Sequence, residues 1–201
     1  MIHIVEDDAS MRASIAQLLD LAGFNTRQYE STGEFLLDPP KDEPGCVLLD
    51  VRLPGPSGLE LQAGMQRLGI PLPVIFLTGH ADVATTVRAM KAGAVDFLEK
   101  PATSEVLLDA IRAALDRDAT QRQVRSEVRL QNSRLSVLTA REREVFDRIV
   151  LGKPNKRIAQ ELAIGLRTVK AYRAQLMLKL GVGSAAELGR IAGTAGDPSS
   201  D

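Results

Sequence analysis

One cysteine among 201 residues excludes an intrachain disulfide framework, and Cys46, set inside a short apolar run, reads as plain core. No apolar run is long enough to span a bilayer, and no charged-then-apolar leader opens the chain. The expectation is a cytoplasmic protein without membrane contact. Neither sign of charge dominates overall, since the formal net charge is -1, but the balance is uneven along the chain. Residues 1–117 hold 17 Asp/Glu against 10 Lys/Arg, a net of -7, whereas 118–135 carry +2 and 136–201 carry +4. An acidic front and a basic back point to different partners, with the back suited to nucleic acid.

What the chain does have is alternation. Ile2 to Val5 is a short strand ending in Glu6-Asp7-Asp8, three acids that repel one another unless a cation sits among them. A helix with Ile15, Leu18, Leu19 and Ala22 on one face stops at Gly23, and a weak strand follows at Thr26 to Tyr29. Ser31 to Glu34 has capping-box spacing for a short helix through Leu37. Cys46 to Leu49 is a continuous apolar run leading into Asp50, with Pro54 and Gly55 close behind, which suits a strand buried on both faces of a parallel sheet. Ser57 to Leu68 reads as a helix with Leu59, Leu61, Met65 and Leu68. Val74 to Leu77 is a strand ending in Thr78-Gly79-His80. Asp82 can cap a helix with Val83, Val87, Met90 and Ala94 inward. Val95 to Leu98 is the fifth strand, ending in Glu99-Lys100-Pro101, and a helix with Val106, Leu107, Ile111 and Leu115 closes the series. Five strands alternating with helices imply an α/β fold, a flavodoxin-like doubly wound parallel sheet.

In such sheets ligands bind beyond the carboxyl ends of the strands. That edge gathers Glu6, Asp7, Asp50, Thr78 and Lys100. Hard oxygen donors with a lysine beside them suit Mg²⁺, which would relieve the carboxylate repulsion and neutralise an incoming phosphoryl group. Asp50 is then the nucleophile that forms an acyl phosphate, with Lys100 and Thr78 bonding the phosphoryl oxygens. On its own stretch, Asp50 reads equally well as an acidic turn residue; the converging strand ends distinguish it.

The motifs Val5-Glu6-Asp7-Asp8, Leu49-Asp50-Val51-Arg52-Leu53-Pro54-Gly55, Leu77-Thr78-Gly79-His80 and Phe97-Leu98-Glu99-Lys100-Pro101 resemble the receiver domain of two-component response regulators over residues 1–117. The resemblance implies that Asp50 accepts phosphate from a sensor histidine kinase and that Asp7, Asp50 and the Arg52 backbone carbonyl ligate Mg²⁺, with Glu6 reaching the metal partly through water. It also implies that Thr78 and Lys100 sense the phosphoryl group, that Phe97 is a switch aromatic as well as a core one, and that the Lys100-Pro101 bond is often cis, which proline alone would make a minority expectation. His80 and Arg52 stand where the family tunes phosphate lifetime; solvent-facing side chains are the plain alternative. Glu6 replaces a common aspartate.

From Asp116 to Ser136 no Pro or Gly interrupts an Arg/Gln/Glu-rich stretch, which reads as a helical linker over 118–135. Val124, Val128 and Leu135 fall near one face, too few for a coiled coil. Thr139 to Glu142 and Ser184 to Glu187 are capping boxes, Asn155 is a candidate N-cap, and Gly165 precedes a longer helix, giving a small all-α domain of four helices over 136–193 before a flexible tail, 194–201. In the third helix Val169, Tyr172, Leu176 and Leu180 share the core side; Arg167, Lys170, Ala171 and Ala174 face away, with Arg173 and Lys179 flanking. A basic face centred on alanines can approach DNA bases, while Asn155, Lys156 and Arg157 in the preceding helix are placed for the phosphate backbone.

Leu138 to Val145, Gly152, Asn155-Lys156, Ile158-Ala159, Thr168-Val169-Lys170, Met177, Lys179-Leu180 and Glu187-Leu188 make this block similar to the LuxR-type helix-turn-helix. Gly165 departs from the usual capping serine, and Tyr172 from a common histidine. Thr168 joins the DNA-facing set by this likeness. Together the two resemblances imply a FixJ-like response regulator, not an enzyme beyond its own phosphorylation and dephosphorylation. Its partners would be a histidine kinase, double-stranded promoter DNA, RNA polymerase and a second copy of the chain, met through positions that include Val87 and Lys91. Two other classes stay open. One is a phosphorylation-independent DNA-binding regulator with the receiver as scaffold. The other is an aspartyl-phosphate phosphatase, which would need a second acid where Arg52 stands.

Overall fold

The computed structural model of the chain describes residues 1–40, 42–79 and 82–193, so His80 and the expected tail at 194–201 lie outside the described residues. The chain forms two compact units, Met1–Gln121 and Arg122–Asp201.

In the first unit, strands β1 (Ile2–Val5), β2 (Thr26–Tyr29), β3 (Cys46–Leu49), β4 (Val74–Thr78) and β5 (Asp96–Glu99) form one parallel sheet in the order β2-β1-β3-β4-β5. The inner strands β1, β3 and β4 are buried along their whole length, apolar but for His3 in β1 and Thr78 at the end of β4, as helices covering both faces require. β2 lies at the edge, where only Tyr29 is buried.

Side chains alternate between two cores. Ile2, Ile4, Leu48, Ile75 and Leu77 meet Ile15 and Leu19 of α1 (Ala9–Leu21) and Leu107 and Ile111 of α5 (Ser104–Leu135). Val5, Val47, Leu49, Val74 and Phe76 meet Phe35 of α2 (Thr32–Leu37), Leu61 and Met65 of α3 (Gly58–Arg67) and Ala89 of α4 (Val83–Lys91). Cys46 is buried, and burial pushes its thiol up to about 12, which keeps it an unreactive core residue.

Several inward assignments are corrected. On α4, Val83 is 81% exposed and Val87 and Met90 are each 44% exposed; Ala89 is the helix's buried residue. The reason is polar: Gln62 Nε2 of α3 donates to Ala89 O and Ala92 O at 3.3 Å each, and Gln66 Nε2 donates to Ala92 O at 2.7 Å. Amide groups from α3 therefore hold the end of α4, and its apolar side chains are left facing out. Leu68 is the exposed C-cap of α3, Val106 is exposed in the first turn of α5, and Ala22 is the exposed C-cap of α1.

α5 runs without a break to Leu135. Asp118, placed by its polar surroundings in a linker, is buried and accepts a hydrogen bond from Gly45 N at 3.0 Å in the first unit. Val124 and Val128 are exposed, whereas Leu135 is buried in the second unit's core. They do not form one apolar seam.

The second unit comprises the end of α5, α6 (Ala140–Val150), α7 (Asn155–Glu161), α8 (Leu166–Leu180) and α9 (Ala185–Gly193) around Val145, Phe146, Ile149, Ile158, Val169, Leu176 and Leu188. Thr139 and Glu142 form a reciprocal capping box at α6. Asn155 is not the N-cap of α7: Pro154 takes that place, with no side-chain cap, and Asn155 is the first helical residue. Gly165 caps α8 without a side-chain bond. Tyr172 and Leu180 pack partly buried against the core, as the core-side reading requires.

One buried group gives the first unit a pH dependence. His3 is enclosed between the Tyr29 and Phe35 rings, with Nδ1 3.0 Å from the Tyr29 hydroxyl and Nε2 lacking a partner. Burial first, then the N-terminal ammonium and Arg27, lowers its pKa from 6.5 to about 4. Because the folded state holds this proton less well than the unfolded state, His3 leaves stability intact above pH 6.5 and erodes it as pH falls from 6.5 toward 4. Across that window, chemical denaturation of the wild type should show a steeper loss than His3→Gln, by up to about 1.4 kcal/mol per pH unit. Identical slopes would rule His3 out as the cause.

Candidate functional site

The parallel register brings the ends of β1, β3, β4 and β5 to one edge. Glu6, Asp7, Asp50, Arg52, Thr78 and Lys100 line a single open cleft there of about 380 Å³. Lys100 is the hub: its Nζ donates to Glu6 Oε2 at 2.5 Å and to Asp50 Oδ2 at 2.8 Å. Glu6 is only 4% exposed and Asp50 8%, so neither carboxylate is solvated well enough to tolerate its charge unaided. Burial raises the Glu6 pKa in spite of its bonds to Lys100, with Asp50 and Asp7 adding to the effect. Burial works against the Lys100 charge too, but the bonds to Asp50 and Glu6 outweigh it and its pKa rises. The lysine is held ionised between two acids.

The backbone fixes that geometry. Lys100 N donates to Thr78 O at 2.8 Å, which ties the lysine loop to the end of β4, and the following Lys100-Pro101 bond is cis. Asp50 Oδ1 accepts from Arg52 N at 3.1 Å, and Asp50 N donates to Val5 O at 3.0 Å. Thr78 is buried at the floor of the cleft. Phe97 is not part of the cleft; it lies half-buried with its ring centroid 5.7 Å from that of Phe76. Val87 and Lys91 are exposed on α4.

One carboxylate oxygen from each of Glu6, Asp7 and Asp50 lies within 4.8 Å of the others. Oxygen donors of this hardness, one of them exposed on Asp7, fit Mg²⁺.

Arg12 and Gly58 build the site without a mark in the sequence reading, and Asp8 stands there only as one of three repelling acids. Asp8 does not share the charge problem of Glu6 and Asp7: it is the N-cap of α1 and accepts from Met11 N at 2.9 Å. An aspartate immediately before an apolar-periodic helix is the signal that identifies it. Arg12 Nη1 donates to Glu6 O at 2.7 Å and Asp7 O at 3.3 Å, clamping the acidic loop by its carbonyls. Gly58 passes so close to the Asp50 backbone that a Cβ would stand 2.1 Å from its carbonyl oxygen. No sequence pattern carries that last contact, because it joins a helix start to a strand end.

The second unit presents Lys156, Arg157, Arg167, Thr168, Lys170, Ala171 and Ala174 as exposed residues of α7 and α8. Asn155 and Arg173 are half-buried and bonded to each other, Arg173 Nη1 to Asn155 Oδ1 at 2.9 Å. Lys179 is not a free flank of the basic face: its Nζ pairs with the buried Glu142 at 2.7 Å and holds that carboxyl below the usual range, with help from the Thr139 backbone. Arg157 pairs with Glu161 at 3.1 Å, where Arg148 and Lys153 also converge.

Residues 2–112 match the response regulator receiver domain family, and residues 136–192 match the luxR family of bacterial regulatory proteins. The chain is 43% identical to nodulation protein W of Bradyrhizobium diazoefficiens, over 98% of this chain and 86% of that one. It is likewise 43% identical to the transcriptional regulatory protein FixJ of Azorhizobium caulinodans, over 97% of this chain and 92% of that one. Among solved structures, the response regulator StyR aligns with a TM-score of 0.79 and 40% identity, over 96% of this chain and 97% of StyR. Full-length FixJ from B. japonicum aligns with a TM-score of 0.59 and 40% identity, over 96% of both chains.

Gly58→Ala should lower the unfolding free energy by about 1–3 kcal/mol through backbone overpacking, measured by urea titration. A variant of unchanged stability would mean that α3 can move away from Asp50 freely.

Proposed function

The chain belongs to the response regulators that join a receiver domain to a LuxR-type DNA-binding domain, and from that premise we propose that phosphorylation of Asp50 controls its binding to promoter DNA. The observation that carries this reading is the double ion pair of Lys100, which keeps a cation against the very carboxylate a phosphoryl group would join.

The phosphoryl donor is the phosphohistidine of a sensor histidine kinase. An Asp50 carboxylate oxygen forms the new O–P bond while the N–P bond to imidazole breaks, and the leaving imidazole takes up a proton. Glu6, Asp7, Asp50 and the Arg52 backbone carbonyl would hold Mg²⁺, which neutralises charge on the phosphoryl oxygens. Lys100 exchanges its bond to Asp50 Oδ2 for a phosphoryl oxygen, and Thr78 donates a hydrogen bond to another. Phe97, beside Phe76 at the end of the same sheet, follows Thr78 inward. That movement reaches the outward apolar face of α4, where the exposure of Val83, Val87 and Met90, with Lys91 beside them, supports a second copy of the chain as the partner.

A symmetric dimer carries two α8 helices, each reading a half-site through Arg167, Thr168, Lys170, Ala171 and Ala174, with Asn155, Lys156 and Arg157 at the phosphates. DNA-bound dimers are then placed to meet RNA polymerase. Arg52 in the position where a phosphatase would need its second acid speaks against hydrolysis as the main activity.

Acetyl phosphate with Mg²⁺ should add the mass of one phosphoryl group to the full chain, and chelating the metal or changing Asp50→Asn should abolish the gain. An adduct that persists in Asp50→Asn, or none in the wild type, contradicts the phosphorylation reading.

A further inference from the structure

We infer that Arg173 is a positioning residue which turns the Asn155 amide into a hydrogen-bond donor for a DNA phosphate. This rests on the second unit's binding DNA and adds how its two helices divide the work. The bond from Arg173 Nη1 to Asn155 Oδ1, 2.9 Å long and partly buried, joins α8 to the first residue of α7.

The chemistry of the pair fixes the orientation of the amide. A guanidinium has donors only, so the atom facing it must be the amide oxygen, and both Nδ2 hydrogens point elsewhere. Among the described residues Asn155 makes no other side-chain hydrogen bond, and it stays partly open to solvent. Donation into its carbonyl also polarises the amide and strengthens the remaining N–H donors. Had Asn155 capped α7, its oxygen would serve its own helix; Pro154 in that place frees it for Arg173.

The neighbouring charges sharpen the assignment. Arg157 is paired with Glu161, whose carboxylate also takes Lys153 and Arg148 and is held below the usual range, by Lys153 above all. Lys156 makes no ion pair among the described residues and is exposed. The start of α7 thus offers the Asn155 amide and the Lys156 ammonium together, and phosphate oxygens accept from both. Arg173 leaves base reading to Arg167, Thr168, Lys170 and the alanines beside them.

A phosphate contact is independent of sequence, so a random-sequence duplex pool serves as the probe, with the full chain titrated at fixed salt. Asn155→Asp keeps an acceptor for Arg173 but exchanges the donor for a charged oxygen. Its melting temperature should be unchanged or higher while duplex affinity falls about tenfold. Asn155→Ala and Arg173→Gln should each weaken binding, and the double variant no more than the stronger single one, because both remove the same contact. Wild-type affinity in Asn155→Asp, or additive losses in the double variant, would overturn the assignment of Arg173. A wild-type chain that fails to bind the duplex pool at all would instead overturn the DNA-binding reading beneath it.

Discussion

The first unit depends on one cation placed between two buried carboxylates. Glu6 ends β1 and Asp50 ends β3, adjacent strands in the sheet, so the parallel register forces the acids together. Lys100 arrives from the far side of β4, where its own backbone N–H is bonded to Thr78 O. Removing either side of such a pair leaves an uncompensated buried charge, at a typical cost of about 3–5 kcal/mol. The fold therefore keeps its lysine at the strand ends, and under the proposed function this cation stands where phosphoryl oxygens would sit. Stability and chemistry meet in the same two bonds.

The second unit uses the same device for a different end. Glu142 caps α6, is buried, and accepts Lys179 from the end of α8, so a residue that begins one helix locates another. Arg173 and Asn155 do likewise between α8 and α7. Each pairing ties a basic side chain of α8 to a neighbouring helix. Lys156, Arg167 and Lys170 are exposed on α7 and α8, whereas exposed Arg157 is paired with Glu161.

The sheet and its strand-end acids were legible in the sequence because inner parallel strands are largely apolar runs, and β1 and β3 each run directly into an acid, Glu6 and Asp50. The α8 core side was legible from period alone, through Val169 and Leu176. What could not be read was polar attachment between elements. Val83, Val87 and Met90 have the spacing of a buried face, yet Gln62 and Gln66 secure α4 by its carbonyls and leave those side chains outside. Asp118 looked like linker because it is charged, though its carboxylate serves the buried Gly45 N–H. Composition and local spacing put Lys179 beside the basic face and Asn155 at a helix cap, but their partners lie 37 and 18 residues away. Hydrogen bonds of that span leave no periodic trace.

The coupling of the Lys100 site to DNA is tested most directly by duplex affinity, measured on phosphorylated and unphosphorylated aliquots of one preparation, for the wild type and for Lys100→Ala. Phosphate should tighten binding in the wild type and leave it unchanged in phosphorylated Lys100→Ala. Equal affinities in the two wild-type aliquots, or the full gain in Lys100→Ala, would contradict that coupling.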